Sequence, residues 1–182
     1  MKLSKSLYTR AIQCQKSLWL KKHNKDVLTP PNAAAQAIFE NGNEVGDLAC
    51  KLFPNGVEIP YLNTTFQDKI NLTQEYINQG TFEFDGIIII IDILNIKDNS
   101  VIINEVKSST QVKDIYLHDA SIQYYVLNGL GYDVKKVNII HINNEYVRDE
   151  ELDINQLFSI VDVTYEVKEL QANIKNNVEM FR

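Results

Sequence analysis

A charged β-hairpin at residues 87–109, IIIIIDILNIKDNSVIINEVKSS, constrains this chain more than any other stretch. Two runs of apolar, largely β-branched residues flank residues 97–100 (KDNS), a group that favours a tight turn. If that turn is symmetric, the antiparallel register places Asp92 directly opposite Glu105. Lys107 follows Glu105 by two residues and therefore projects from the same face of the sheet. The hairpin thus predicts a cluster of three charged side chains within an apolar sheet.

Two opposed carboxylates are costly to bury, because like charges repel across a ladder and buried charges lose their hydration. A divalent cation between Asp92 and Glu105 would offset that cost, and oxygen ligands suit magnesium or manganese. Lys107 could hold a water molecule or a phosphate beside such an ion. The alternative is a buried Lys–Glu–Asp ion-pair cluster without chemistry, although such clusters are weak stabilisers compared with apolar residues.

The composition is that of a globular protein of one domain. The chain has 182 residues, of which 45% are hydrophobic and 23% charged, enough apolar material for a core. No apolar secretory segment follows the first residues, and the longest aliphatic run, residues 87–91, is far too short to span a bilayer. Cys14 and Cys50 are too few for a disulfide framework. We therefore expect a soluble, cytoplasmic protein that has no membrane partner.

Positive charge is concentrated at the start of the chain. The formal net charge is −6, yet residues 1–25 contain seven Lys or Arg residues and no acid. A cationic first helix on an acidic body could contact a phosphate backbone through Lys16, Lys21 and Lys22. A solvated helix face without a ligand is equally compatible with the charge pattern.

The predicted elements follow the order of a single α/β layer structure. Capping residues, apolar periodicity and Gly or Pro stops predict helices at residues 4–23, 33–53, 64–78, 115–129 and 163–180, with Asp114 as the cap of the fourth. Apolar or alternating runs predict strands at residues 57–60, 81–84 and 134–142, besides the two strands of the hairpin. Residues 143–152 are expected to be irregular.

Asp92, followed after a twelve-residue gap by Glu105-Val106-Lys107 on a hairpin, resembles the PD-(D/E)XK nuclease superfamily. The stretches LSKSLYTRAIQCQKSLWL, FENGNEVGDLACKLFP, EVKSS and DASIQYYVLNGLGY are similar to RecB-like nuclease domains of uncharacterised bacterial and phage proteins and of CRISPR-adaptation exonucleases. The resemblance implies a restriction-endonuclease-like α/β fold with a central mixed sheet flanked by helices. It implies one nuclease-like domain over residues 1–182, with a mainly helical part (1–80), an αβββαβ-type catalytic core (81–148) and a C-terminal helix (149–182).

The resemblance also implies roles for residues of the hairpin. Asp92, Glu105 and the backbone carbonyl of Val106 would bind one or two magnesium or manganese ions. Lys107 would orient the attacking water or help to deprotonate it, and would offset the charge of the phosphate. The implied reaction is metal-assisted hydrolysis of a phosphodiester bond.

Two residues outside the hairpin match the family as well. Gln123 corresponds to the glutamine that RecB-like domains place beside the site, and Asp119, one helical turn earlier, could orient it. Glu44 stands where relatives have an acidic residue or histidine in an early helix, and it could add a metal ligand. A surface position for Glu44 is the alternative.

The chain departs from the family at several positions. Ile91 stands where the motif name has proline, and Leu127 stands where the usual Gln-x-x-x-Tyr pattern has tyrosine. Many CRISPR-adaptation relatives hold an iron–sulfur cluster on four cysteines, whereas this chain has only Cys14 and Cys50. No iron–sulfur cluster is therefore expected.

These observations predict a metal-dependent deoxyribonuclease, expected to act exonucleolytically in repair, recombination or mobile-element processing. Nothing in the sequence separates DNA from RNA, and the family alone favours DNA. The alternative is a catalytically inactive module that keeps the nuclease fold to bind nucleic acid or a partner protein.

Overall fold

The computed structural model describes residues 2–58 and 76–182. The helices in these ranges are α1 (Lys5–Gln13), α2 (Gln15–His23), α3 (Ala33–Cys50), α4 (Asp114–Gly129), α5 (Ile154–Leu157) and α6 (Thr164–Phe181), with a 3-10 turn at Lys25–Val27. The strands are β1 (Leu3–Ser4), β2 (Val57–Glu58), β3 (Tyr76–Phe84), β4 (Ile87–Lys97), β5 (Ser100–Lys107), β6 (Asp133–Ile142) and β7 (Phe158–Asp162). None of these helices is both long enough and apolar enough to cross a bilayer.

The strands of the described residues form one mixed sheet. Its order is β2-β3-β4-β5-β6-β7, and β1 pairs with β4 beside that path. The strands β3, β4 and β5 are antiparallel neighbours, whereas β5 and β6 are parallel and β7 is antiparallel to β6. The crossover from β5 to β6 contains α4, as a parallel connection requires. The expected mixed α/β fold, with a central mixed sheet flanked by helices, is confirmed at this level.

The hairpin has the register that its turn residues predict. The ladder between β4 and β5 runs from the pair Lys97–Ser100 to the pair Ile93–Asn104. Asp98, in the turn, has a φ of 54°, a left-handed conformation that Asp tolerates better than most residues. Asp92 and Glu105 are the next residues along the two strands, beyond the last ladder pair.

A local irregularity in the sheet surrounds Asp92. The strands β3 and β4 pair on both sides of Gln79 and Asp92, but these two residues form no pair, and Gln79 has a φ of 59°. Ile91 and Leu94 both belong to the larger apolar cluster, whereas Ile93 belongs to the smaller one. Regular alternation would place Ile91 and Ile93 on the same face. The side chains of β4 therefore change faces between Ile91 and Leu94, although the register with β3 is the same on both sides of Asp92.

The two faces of the sheet carry separate apolar clusters. The larger cluster packs α1, α4 and α6 against the sheet, with fully buried residues that include Tyr8, Ile103 and Ile122. The smaller cluster packs Val45 and Ala49 of α3 against strand residues on the other face. Glu105 has the same strand parity as Ile103, so its side chain projects into the layer of α1 and α4.

The N-terminal half differs from the sequence prediction in two places. The predicted helix at residues 4–23 is two helices, because Cys14 between them is extended with a φ of −163°. Ser4 caps the first of them as predicted, and its Oγ accepts a hydrogen bond from the Leu7 N–H at 3.3 Å. The predicted helix at residues 64–78 lies largely outside the described residues, and Asn78 belongs to β3. The mainly helical part at 1–80 thus ends in a strand.

The C-terminal half contains one strand that the sequence analysis missed. Helix α4 and strand β6 lie where they were predicted, although α4 starts at Asp114 itself and no side chain caps it. After the irregular residues 143–152, the short helix α5 and the strand β7 precede α6. Strand β7 has only five residues and lies at the sheet edge, so its period-2 signal is short. Residues 149–182 therefore contain a strand as well as the predicted helix.

Candidate active site

Glu105 is the centre of a buried charged cluster. It is 1% exposed, although it carries a carboxylate. Its oxygens accept hydrogen bonds from Lys107 Nζ at 2.6 Å and from Gln123 Nε2 at 2.7 Å. Lys5 Nζ, from the start of α1, lies 2.9 Å from Oε1 and 3.1 Å from Oε2. Three of the predicted site residues therefore meet, and they are joined by Lys5, which was not among the predicted site residues.

Lys107 is held on three sides. Besides Glu105, its ammonium contacts Asp119 Oδ2 at 2.5 Å and lies 5.3 Å from the centre of the Tyr116 ring. Burial lowers the pKa of Lys107, but the carboxylates of Glu105 and Asp119 outweigh that effect and raise the pKa above its ordinary value. Lys107 is therefore a cation at neutral pH, so in this arrangement it can donate hydrogen bonds and offset negative charge. It is not placed to accept a proton.

Asp92 lies beside Glu105 and is bound through the backbone. Its Oδ2 accepts a hydrogen bond from the Val106 N–H at 2.9 Å, so Val106 presents its amide, rather than its carbonyl, to Asp92. Burial raises the pKa of Asp92 to about 6, and the neighbouring Glu105 charge adds to the effect. Burial also acts to raise the pKa of Glu105, but Lys107 and Lys5 hold it well below its usual range. The two carboxylates therefore lie close enough for the charge of Glu105 to act on Asp92, although the β4–β5 ladder ends one residue before them.

Lys5 is the site residue that sequence reasoning missed. It occupies the first position of α1, where a cation is unfavourable because the positive end of the helix dipole lies there. Burial lowers the pKa of Lys5, yet Glu105, Asp119 and Asp92 together raise it. The sequence feature that could have predicted this contact is a lysine at the start of a helix, because its charge is unfavourable there without a carboxylate from elsewhere in the fold. In the sequence, Lys5 stands out only as one of the basic residues of the N-terminal segment.

Two acceptors at the site are buried without a hydrogen-bond partner among the described residues. They are Oε1 of Gln123 and Oδ1 of Asp119, and Lys5 Nζ is 3.7 Å from the latter. Buried acceptors of this kind are rare in folded proteins and commonly bind water or a ligand. The cluster therefore offers acceptors to a bound molecule in addition to its charged groups.

The donor set suits a hard divalent cation. Asp92 and Glu105 provide carboxylate oxygens, and magnesium is commonly held by one or two carboxylates with water at the other positions. In residues 2–58 and 76–182, no three His, Cys, Asp or Glu side chains are grouped so that they could hold a metal ion. The ion pair between Lys5 and Glu105 shows that a positive charge is favourable beside the Glu105 carboxylate. The residues fit magnesium or manganese with two protein carboxylates, and they do not form an all-protein cage.

Glu44 is not part of this hydrogen-bonded cluster. Its side chain is exposed on α3, and the adjacent Val45 packs into the smaller apolar cluster. Among the contacts of the described residues, none joins Glu44 to Asp92 or Glu105, and Glu44 is not among the charges that shift the pKa of either. Its predicted role as a metal ligand therefore has no contact to support it.

The basic residues of α2 lie at the surface. Lys16 and Lys21 are exposed, and Lys22 Nζ donates a hydrogen bond to the Phe181 carbonyl at 2.9 Å. Lys16 and Lys22 border an open groove of about 380 Å³, together with the largely exposed Trp19. The predicted cationic surface is present, with an aromatic ring within it.

We expect Asp92→Asn to increase the free energy of unfolding at pH 7 by about 1–3 kcal/mol, since each unit of raised pKa opposes ionisation by about 1.4 kcal/mol. Asparagine can still accept the hydrogen bond from the Val106 N–H. The folded-state pKa of Asp92, about 6, lies above its ordinary value of 3.8, so the folded protein binds the proton more tightly. The wild type should therefore gain stability from this group as the pH falls from 7 to 5.

Urea unfolding of the wild type and of Asp92→Asn at pH 7 and at pH 5 measures this effect. The difference between the two proteins should shrink by about half at pH 5, because most of the Asp92 carboxyl is protonated there. Asp98→Asn, in the exposed hairpin turn, removes the same charge and is the matched control. A difference that stays constant between the two pH values would contradict the burial of a charged Asp92.

Comparison with known proteins adds little to this geometry. The chain matches no protein-family model, and no curated protein matches it. Six chains among the solved structures match. One of them is described as the crystal structure of SSO0001, with 11% sequence identity and a TM-score of 0.46 over 98% of this chain and 76% of that chain. A likeness at that level supports no conclusion about fold family or activity.

Proposed function

We propose that this protein is a magnesium- or manganese-dependent nuclease of the PD-(D/E)XK type, with a RecB-like domain that hydrolyses phosphodiester bonds of DNA. The observation that supports the proposal is the convergence of Lys107 and Gln123 on the buried Glu105, beside Asp92. Three chain segments contribute these residues. A structural ion pair alone does not require a glutamine from α4 and a second carboxylate with a raised pKa.

Asp92 and Glu105 are the residues that would hold the divalent cation. When bound, magnesium or manganese supplies Lewis-acid stabilisation of the charge that develops on a phosphate during hydrolysis. Asp92, with a pKa of about 6, is largely ionised at neutral pH and is available as a ligand. Glu105 is ionised over the whole physiological range, because two ammonium groups lower its pKa.

The other side chains position the reacting groups. Lys107 remains protonated, so it can donate to a phosphate oxygen or to the attacking water and offset negative charge in the transition state. Asp119 anchors that ammonium at 2.5 Å, and Gln123 fixes the Glu105 carboxylate at 2.7 Å. These two contacts restrict Lys107 and Glu105 to one geometry, which is what positioning requires.

The cationic surface near the N-terminus supports a polyanionic substrate. Lys16, Lys21 and Lys22 lie on α2, directly after the helix that delivers Lys5 to the site. Nucleic-acid binding through such residues weakens steeply as salt neutralises the phosphates. DNA is the proposed substrate, and RNA of the same sequence is the comparison that decides the specificity.

Incubation of the purified protein with end-labelled linear DNA, with magnesium or manganese and with EDTA, tests the proposal. We expect the linear DNA to be degraded with either metal and to remain intact with EDTA. Closed circular DNA of the same sequence should resist, because an exonuclease needs an end. Absence of hydrolysis with both metals on linear DNA would sink the proposal, and equal degradation of circular DNA would change it to endonuclease activity.

A second candidate is a catalytically inactive nuclease-fold module that binds nucleic acid or a partner protein. It is favoured by the two ammonium groups on Glu105, which neutralise this carboxylate without any metal. Calorimetric titration with manganese separates the candidates. DNA binding at low salt together with no manganese site supports the inactive module.

A further inference from the structure

The Glu105 carboxylate has no free acceptor site for another cation. A carboxylate offers about four lone-pair positions. Lys5 occupies one on each oxygen, at 2.9 and 3.1 Å, Lys107 occupies Oε1 at 2.6 Å and Gln123 occupies Oε2 at 2.7 Å. Four donor contacts therefore fill the group. Any metal ion that binds Glu105 has to displace one of the three donors.

Lys5 is the donor that is held least. Lys107 is also fixed by Asp119 at 2.5 Å, and Gln123 is fully buried with a further bond to the Asp119 carbonyl at 3.2 Å. Of the other carboxylates near Lys5, Asp119 has its Oδ1 3.7 Å away, beyond hydrogen-bond distance, and Asp92 acts on Lys5 only through its charge. The Lys5 side chain keeps 20% of its surface exposed and the Lys107 side chain 19%, so both ammonium groups have a path to solvent and the second anchor at Asp119 is what distinguishes Lys107. The departure of Lys5 frees a position on both oxygens at once.

The backbone of Lys5 is fixed while its side chain is not. Leu3 pairs with Ile87 in the sheet, Ser4 caps α1, and Tyr8 is fully buried one turn later. Release of the ammonium from Glu105 is therefore a rotation of side-chain torsions and leaves α1 in place. After release the ammonium remains within one side-chain length of the carboxylates.

We propose that Lys5 and a divalent cation compete for Glu105, so that the Lys5–Glu105 ion pair and metal binding exclude each other and Lys5 sets the affinity of the site for the metal. This inference rests on the proposed function in taking magnesium or manganese as the bound cation. It assigns Lys5 as a positioning residue, since it acts through Glu105. The ammonium stabilises the buried carboxylate before metal binds and yields its place when metal arrives.

Calorimetric titration with manganese tests the competition without reference to cleavage. Lys5→Met removes the charge and keeps the length of the side chain, so we expect manganese to bind about tenfold tighter or more than to the wild type, given the strength of charge pairs at this distance. Lys5→Arg keeps the competitor and should stay near the wild-type affinity. Lys2→Met, which removes the same charge from a surface pair with Glu83, should also leave the affinity unchanged.

Lysine acetylation followed by mass spectrometry gives an independent readout on the unmodified chain, should Lys5→Met fail to fold. We expect Lys5 to react slowly without metal and several times faster with manganese, whereas Lys107 stays protected. A Lys5 rate that manganese leaves unchanged overturns the proposal, as does Lys5→Met that binds manganese no tighter than Lys2→Met. If manganese binding follows these expectations but linear DNA stays intact, the nuclease proposal fails and the competition stands.

Discussion

The Glu105→Ala variant is expected to lose about 3–5 kcal/mol of its free energy of unfolding at pH 7, the range found when one partner of a buried ion pair is removed. Lys5 then has the Asp119 oxygen at 3.7 Å and the more distant charge of Asp92 but no close carboxylate, and Gln123 Nε2 loses its contact at 2.7 Å. The large loss reflects charges left buried without a partner. It does not measure the net contribution of the intact pairs.

Urea unfolding measures this loss, and its pH dependence identifies the cause. The folded-state pKa of Glu105 is depressed below its ordinary value of 4.5, so Glu105 contributes stability that is present above that pH and lost as the pH falls below it. The gap between wild type and Glu105→Ala should therefore be smaller at pH 3 than at pH 7. Glu83→Ala is the matched control, because it breaks the surface pair with Lys2 and should cost about 1 kcal/mol or less. Equal losses in the two variants would contradict a buried cluster around Glu105.

The Lys107→Met variant is expected to reduce the rate of DNA hydrolysis by about 10²–10³-fold, the range seen when one hydrogen-bond donor to the charge of the transition state is removed. The proposed role of Lys107 is to donate to the phosphate or the attacking water, and methionine keeps the length of the side chain but has no charge and no N–H. Lys107→Arg is not expected to restore the rate, because a planar guanidinium does not fit the position of a compact ammonium between Glu105 and Asp119.

Single-turnover cleavage of linear DNA, with circular dichroism and manganese titration on the same preparations, measures this effect. Lys113→Met is the matched control, because Lys113 lies 5.8 Å from the same Tyr116 ring and contacts no carboxylate of the cluster. We expect the Lys113→Met rate to stay within about twofold of wild type, as surface substitutions usually do. A folded Lys107→Met protein with the wild-type rate would exclude the catalytic role of this residue.

Short-range features of the fold could be predicted from the sequence. The KDNS turn specified the register of β4 and β5, because turn geometry and period-2 alternation act over a few residues. The same is true of the Ser4 cap and of the positions of α4 and β6, which depend on local periodicity and stop signals. The contact of Gln123 with Glu105 was expected only through the family resemblance, since helix periodicity does not say which strand a helix side chain meets.

Other features depended on how the layers pack. The break at Cys14 and the shift of facing at Asp92 are departures from regular periodicity that packing imposes. The strand β7 forms because the edge of β6 is available for pairing. Its five residues are too few to predict a strand from their own pattern. Residues 59–75, where part of a helix was predicted, lie outside the described residues, so that prediction stays untested.

The charged hairpin itself was determined by the sequence, and its chemical surroundings were decided by the tertiary structure. Turn residues and β-branched runs place Asp92, Glu105 and Lys107 close together without reference to the rest of the chain. Lys5 is 100 residues away from Glu105, and it reaches that carboxylate only because α1 packs on the face where Glu105 projects. A contact of that separation depends on the docking of whole elements, which no local pattern encodes. The local sequence therefore determined that the carboxylates lie close together. The packing of α1 and α4 decided which ammonium and amide groups they bind.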